Sequence, residues 1–356
     1  MKKLIALSLL LLQMTGSCSF PEQENRKDVL QAYNLRMEGK SDQALALLDS
    51  LLQKDSTNAL AHFERSRILS YMLLGGGNTS VDDIVGALQK AVVYDPGNAV
   101  YAYDLATASF LNAYIALSQG KDDAPSLVGK ACDNFKNVLK ISPVAPEAIL
   151  QLVEIYGLLP PALGGDSLQA LRYREELMTT DAYYAAKANL DFYSGDAVAF
   201  WNDYLTTHDT TSNVLRDIGY AYLYHEKPEK AEEMFRMAMK MDSSQQSLLL
   251  DMARYYMYTV MENRDLADSL LPIAAVFINE YLKRDPSPPK PMQAYALGML
   301  VRTNMFTGHK EEAEATLERA KALDPWFSRA SGLPNPELFI PPDKVAIHFI
   351  SFFRPF

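Results

Sequence analysis

Residues 215–243 read Leu215-Arg-Asp-Ile218-Gly219-Tyr220-Ala-Tyr222-Leu-Tyr224, then His225-Glu-Lys227, then Pro228-Glu-Lys-Ala231-Glu-Glu-Met-Phe235-Arg-Met-Ala238-Met-Lys-Met-Asp242-Ser243. Leu215, Ile218 and Tyr222 recur at three- and four-residue steps, and Ala231, Phe235 and Ala238 repeat the device, so each half presents one apolar helical face. The polar break between them makes the stretch a helical hairpin. Gly219 and Ala231 are small where two antiparallel helices must approach closely. Pro228 suits the first turn of the second helix, where its missing N–H is no loss, and Glu229, Glu232 and Glu233 lie toward that helix's positive end.

The spacing Ala231, Phe235, Ala238, Ser243 serves as a ruler for the rest of the chain. The same slots hold Ala44-Leu48-Leu51-Ser56, Ile84-Leu88-Ala91-Pro96, Ala131-Phe135-Val138-Pro143 and Ala170-Arg174-Leu177-Ala182. They continue with Ala197-Trp201-Tyr204-Asp209, Ala274-Ile278-Tyr281-Pro286 and Ala313-Leu317-Ala320-Pro325. A Pro or polar stop closes every unit but the fourth, which has Ala182 there, and Gly39 and Gly308 stand at inter-helix turns. This pattern resembles the tetratricopeptide repeat, a helix-turn-helix of 34 residues. The resemblance covers residues 26–325 and implies an all-α fold: a right-handed superhelical solenoid of about eight hairpins, ending in a short extended tail. The fourth unit is the expected weak point or hinge, because Arg174 occupies an aromatic slot that only Tyr173 could fill. The fifth has a shortened first helix.

Two Gly-rich insertions, Gly75-Gly76-Gly77-Asn78-Thr79-Ser80 and Pro160-Pro161-Ala-Leu-Gly164-Gly165-Asp166-Ser167, fall between the helices of their units. Neither carries the Lys-Ser or Lys-Thr pair of a phosphate loop, nor follows a strand. They are expected to be turns, with Ser80 and Asp83 in capping-box spacing, protruding from one edge of the solenoid.

Met1-Lys2-Lys3, the apolar run Leu4–Leu12 and Thr15-Gly16-Ser17-Cys18 have the layout of an export signal. The small-small-Cys ending resembles the lipobox of bacterial lipoproteins, which implies lipid on Cys18, a signal peptide over 1–17 and a short linker over 18–25. Thr15 departs from the usual Leu of that box; ordinary secretion is the alternative. Cys132 is then the one remaining cysteine, which excludes a disulfide framework. Its apolar neighbours Ala131, Phe135 and Val138 mark it as a small buried hydrophobe. The formal charge of −10 over 356 residues becomes about −12 without Lys2 and Lys3, and an acidic surface argues against nucleic-acid binding.

No catalytic, cofactor or metal motif is found. The five histidines, His62, His208, His225, His309 and His348, show no metal-ligand spacing, and Asp82-Asp83 and Asp122-Asp123 lack the pattern of a calcium loop. Recognition is the remaining activity. In tetratricopeptide repeats the first helix of each unit lines a concave groove, which implies groove positions at Arg216, Tyr220 and Tyr224, at Leu250, Arg254, Met257 and Tyr258, and at Tyr295, Arg302 and Met305. Tyr, Arg and Met are favoured at binding surfaces; many of these tyrosines could equally pack between repeats.

After Pro325 a Pro-punctuated connector, Leu333–Pro342, leads into the apolar end Val345–Phe356. It is expected either to fold back as a cap over the last repeat or into the groove, or to dock onto a partner or a lipid surface. The expected function is a non-enzymatic scaffold, lipid-anchored in the bacterial cell envelope at the outer membrane, that recognises a protein or peptide partner. The alternative is a transporter-associated periplasmic repeat subunit binding a small apolar ligand; the loop Leu158–Asp166 carries that resemblance. A closed channel lined by Tyr and Met would favour the alternative, and an open groove the peptide.

Overall fold

The structure, a computed structural model, describes residues 20–330, 332 and 336–347, with side chains from residue 26 and, in the tail, from residue 337. Cys18, the signal segment, His348 and the apolar end beyond Ile347 lie outside the described residues. Among the described residues all regular structure is helical, arranged as eight hairpins. They are α1 (Phe20–Met37) with α2 (Ser41–Lys54), α3 (Ala59–Leu74) with α4 (Val81–Tyr94), α5 (Ala99–Ser118) with α6 (Ala124–Ile141), and α7 (Pro146–Leu158) with α8 (Ser167–Thr180). The chain continues with α9 (Ala182–Leu190) and α10 (Ala197–Tyr204), α11 (Ser212–Tyr224) and α12 (Pro228–Met241), α13 (Leu248–Glu262) and α14 (Ala267–Leu282), and α15 (Lys290–Phe306) and α16 (Lys310–Leu323). The protein is a helical-repeat solenoid.

The local reasons are those of the ruler. Ala44, Ala131, Ala231, Ala274, Ala313 and Ile84 are buried in the seam between paired helices, and the next slot buries Leu48, Leu88, Phe135, Trp201, Phe235 or Ile278. Gly219 is required: a Cβ there would stand 2.3 Å from Cε1 of Phe235. Side chains satisfy the open N–H groups at helix starts. Asn58 accepts from Ala61, Asn98 from Val100 and Tyr101, Asp166 from Leu168 and Gln169, and Thr211 from Val214. Ser80 and Asp83 form the expected capping box.

Three features differ from the sequence reading. Helix α1 starts at Phe20, inside the stretch assigned to the linker. The fourth unit is well packed: Tyr173 fills the aromatic slot, 6% exposed and stacked 6.1 Å from Tyr156, while Arg174 swings out over the ring of Phe192. The fifth unit, by contrast, has the shortened first helix that the sequence implies, with helices of 9 and 8 residues. Finally, the Gly75 loop does not protrude freely. A Cβ on Gly75 would meet the carbonyl oxygen of Trp326 at 2.5 Å, so the end of the last unit lies directly on it.

That contact closes the solenoid on itself. Tyr71, near the end of α3, belongs to the same apolar cluster as Phe235, Leu249, Ile278, Met299 and Phe327, and its ring stacks 3.8 Å from that of Phe327. Its hydroxyl donates to the carboxylate of Asp324, which also accepts from the backbone N–H groups of Trp326 and Phe327, both at 2.8 Å. Gly39, in the first inter-helix turn, lies against the backbone of Leu323. The eighth unit thus docks on the first and second.

Candidate functional site: the inner face of the ring

First helices of successive units are stitched together across the inner face by polar side chains. Tyr184 of α9 donates to Glu147 of α7 at 3.0 Å, Tyr183 of α9 to Asp217 of α11 at 2.7 Å, and Tyr220 of α11 to Asp251 of α13 at 3.0 Å. Each bond is a tyrosine on one first helix meeting a carboxylate on a neighbour. Asp217 is the centre of the largest cluster, since Lys187 reaches its Oδ2 at 3.1 Å and Arg216 its Oδ1 at 3.1 Å. Arg216 also donates to the Tyr183 hydroxyl at 2.9 Å and to Asn213 at 3.0 Å. Burial would raise the Asp217 carboxyl, but Lys187 and Arg216 outweigh it and hold the group down to about 2. Burial pushes Asp251 up to about 6 against the pull of Arg254 and Tyr220.

The groove positions implied by the repeat resemblance fall into three groups. Arg216, Tyr220 and Arg254 are partly buried members of this lattice; Arg254 pairs with Asp251 at 3.3 Å and approaches the Tyr258 hydroxyl at 3.4 Å. Tyr224, 84% exposed, together with Tyr258 and Met305, faces water, and Met257 is half-buried. Tyr295 lies in the core at 1% exposure, and Leu250 is fully buried. In the last unit the turn Phe327–Arg329 packs onto α15, which covers Tyr295 and leaves Arg302 donating to the carbonyl of Ala330 at 3.4 Å. The carboxylates were missed. Their signal was an acid placed three residues before an arginine, as in Glu64-x-x-Arg67 and Asp251-x-x-Arg254, or beside one, as in Arg216-Asp217.

Over the first units the inner face is occupied by the chain's own tail. Pro336–Phe339 forms one turn of 3-10 helix. Val345 packs against the cluster of Phe63, Leu88 and Tyr101, and Ile347 against that of Tyr103, Phe110 and Ile149. Beneath the turn, Glu64 is fully buried between Arg36 and Arg67, at 2.9 Å from each. The described tail therefore folds back into the groove. Beside it, burial pushes the carboxyl of Asp104 on α5 up to about 7, with Arg67 only partly offsetting the shift.

An Asp whose folded-state value stands near 7, against about 3.9 unfolded, favours folding fully below about pH 4 and loses that contribution as pH rises through 7. Asp251 adds the same sign over a narrower window. Asp104→Asn is therefore expected to gain about 1–3 kcal/mol at pH 8 and nothing at pH 4, allowing for partial solvation. Urea unfolding at the two pH values checks this, and an equal gain at both would rule out the carboxylate as its source.

Among the described residues no group of three or more His, Cys, Asp or Glu is placed to hold a metal ion, and no helix is long and apolar enough to cross a membrane. Cys132 is buried and free.

No family model matches the chain, and no curated protein matches it. Solved structures do. A thermophilic tetratricopeptide-repeat protein of Thermus thermophilus is 18% identical over 66% of this chain and 98% of its own, with a TM-score of 0.37. A tetratricopeptide-repeat protein from Parabacteroides merdae ATCC 43184 is 12% identical over 85% of this chain and 93% of its own, with a TM-score of 0.36. The MamA protein is 18% identical over 63% and 94%, at 0.34.

Proposed function

We propose that the protein is a non-enzymatic binding scaffold that holds an extended segment of a partner protein on the inner face of the ring, along α11 and α13. The observation that carries this reading is the tail itself: the inner face already accommodates a short stretch of polypeptide, one 3-10 turn and the irregular chain after it, gripped by two arginines that the buried Glu64 carboxylate holds in place. Arg216 and Arg254 are held by Asp217 and Asp251 in the same manner; Tyr258 offers exposed aromatic surface against Arg254, and Tyr224, at the end of α11, offers more. Arginine oriented by a carboxylate, next to tyrosine, is the composition of an interface hot spot. The small-ligand alternative gains from closure of the ring. It is disfavoured by the lining, since Lys187, Arg216, Asp217, Asp251 and Arg254 make that wall charged where an apolar ligand needs an apolar one.

The signal-like N-terminus supports export, and its small-small-Cys ending supports a lipid anchor on Cys18 in a bacterial envelope, with the outer membrane as its site. Several acyl chains on one residue make attachment durable where one would not. Crosslinking in intact envelopes followed by partner identification tests both halves of the proposal. Tyr224→Ala with Tyr258→Ala should lower partner yield at least tenfold with helicity unchanged, since two exposed anchors are worth more than about 1.4 kcal/mol. Undiminished yield would remove the site from this face. Cys18→Ser should release the chain from the membrane fraction; unchanged attachment would overturn the anchor.

A further inference from the structure

The tail is read almost entirely through its main chain. Four consecutive carbonyls, those of Glu337, Leu338, Phe339 and Ile340, each accept from a side chain of the inner face. Arg67 Nη2 donates to Glu337 and, at 2.7 Å, to Ile340. Arg36 Nη1 donates to Leu338, and the Tyr33 hydroxyl to Phe339 at 2.7 Å. These are the carbonyls at the end of a 3-10 turn, where the partial negative charge of a helix terminus gathers and cations are favoured. Two guanidiniums locked by Glu64 make a preformed receptor for that end.

Side chains add less. Glu337, Leu338 and Pro342 are buried and Phe339 meets Phe327 edge-on, but Lys344 and Ala346 are exposed, and Val345 and Ile347 are half-buried at the margins of clusters that the helices complete by themselves. In the pair between Arg26 and Asp343 the arginine is exposed, while the Asp343 side chain is 10% exposed. Water can replace carbonyls on Arg36 and Arg67 without opening a hairpin core. The closing contacts of the ring, from Leu323 to Phe327, all precede the tail.

We propose that residues 336–347 are an intramolecular ligand, a removable strap on α1, α3 and α5, and that the site beneath it accepts from a partner protein one short turn ending in free carbonyls. The proposal rests on the reading of the inner face as a partner surface and extends it to the first units. Tethering places the strap at an effective concentration in the millimolar range. It therefore covers the site at rest, and a partner that engages α11 and α13 as well gains the advantage needed to replace it.

The test needs no partner. A site-specific protease sequence is inserted between Gly332 and Pro336, and the whole chain is cut. A labelled synthetic peptide of residues 334–347 is then titrated by fluorescence anisotropy, with native mass spectrometry following the cut strap. The expected result is that the strap leaves on dilution, helicity is retained, and the peptide binds the cut protein at least tenfold more tightly than the uncut one. Tyr33→Phe, which removes one donor and keeps the ring, should weaken that binding about three- to tenfold, as expected for one hydrogen bond. A strap that stays bound without exchanging, helicity lost on cutting, or equal peptide affinity for cut and uncut protein would each overturn the proposal. None of these outcomes depends on partner crosslinks over α11 and α13, so the two readings fail separately.

Discussion

Replacing Glu64 by Ala is expected to lower the unfolding free energy by about 3–5 kcal/mol, the cost of breaking a buried ion pair from one side. The carboxylate is fully buried; Oε1 accepts from Arg36 at 2.9 Å and Oε2 from Arg67 at 2.9 Å, and both guanidiniums are buried with it. Its removal leaves two like charges facing each other with no anion and little water. Glu64→Gln, which keeps the shape and discards the charge, should lose less. The triple replacement Arg36→Met, Glu64→Leu, Arg67→Met should come close to the parent in stability, because apolar residues of similar size carry no desolvation cost. It would nonetheless hold the tail weakly, having lost the donors to three of the four carbonyls. Urea unfolding with an unchanged denaturant slope is the measurement. A loss below about 1 kcal/mol for Glu64→Ala would mean that the arginines reach water in the native state.

Gly39→Ala is expected to cost about 3–5 kcal/mol by forcing the ring open. Gly39 has a φ of +78°, and a Cβ there would lie 1.9 Å from the carbonyl oxygen of Leu323. The left-handed backbone alone costs an alanine about 1–2 kcal/mol. The clash is with backbone, so the last hairpin must withdraw, and the bond from Tyr71 to the Asp324 carboxylate, worth about 1.5–3 kcal/mol, goes with it. Gly308→Ala is the control. It occupies the corresponding turn of the last hairpin at a φ of +83°, with nothing within 4 Å of the added Cβ. It should lose the backbone contribution only and keep its dimensions in small-angle scattering, whereas Gly39→Ala should expand. Equal losses for the two variants would show that closure contributes nothing to stability.

The hairpins were legible because their causes are local. A period of three and four residues, a small residue at the helix crossing and, at several starts, a capping side chain all lie within about 34 residues of one another. Tyr173 shows the limit of reading slot by slot: the aromatic sits one residue from its slot, at the position that the sequence offered as a substitute. The closure left no trace of its own, because Gly39 and Gly75 are fully explained as turn glycines before any partner for them is considered. A long-range contact that reuses residues already demanded by short-range geometry is invisible in sequence. The inner-face polar lattice was half legible. Arginines and tyrosines stood out by composition, while nothing in the repeat pattern singled out Glu64, Asp217 and Asp251. Only the neighbouring units bury them. Tyr295 was placed on the wall of the groove by its register, yet Phe327 and Ala330, outside any repeat, cover it.

Closure also changes how stability is shared along the chain. An open stack of repeats unravels from its ends, because a terminal unit has one neighbour and a central unit two. With Leu323–Phe327 seated on the turns at Gly39 and Gly75, every hairpin has two neighbours, and no unit can melt without breaking two interfaces. The array becomes a circular chain of nearest-neighbour couplings, in which the energy of the seam is spread over all eight units as cooperativity. Its shortest member, α9–α10, is held from both sides by hairpins longer than itself.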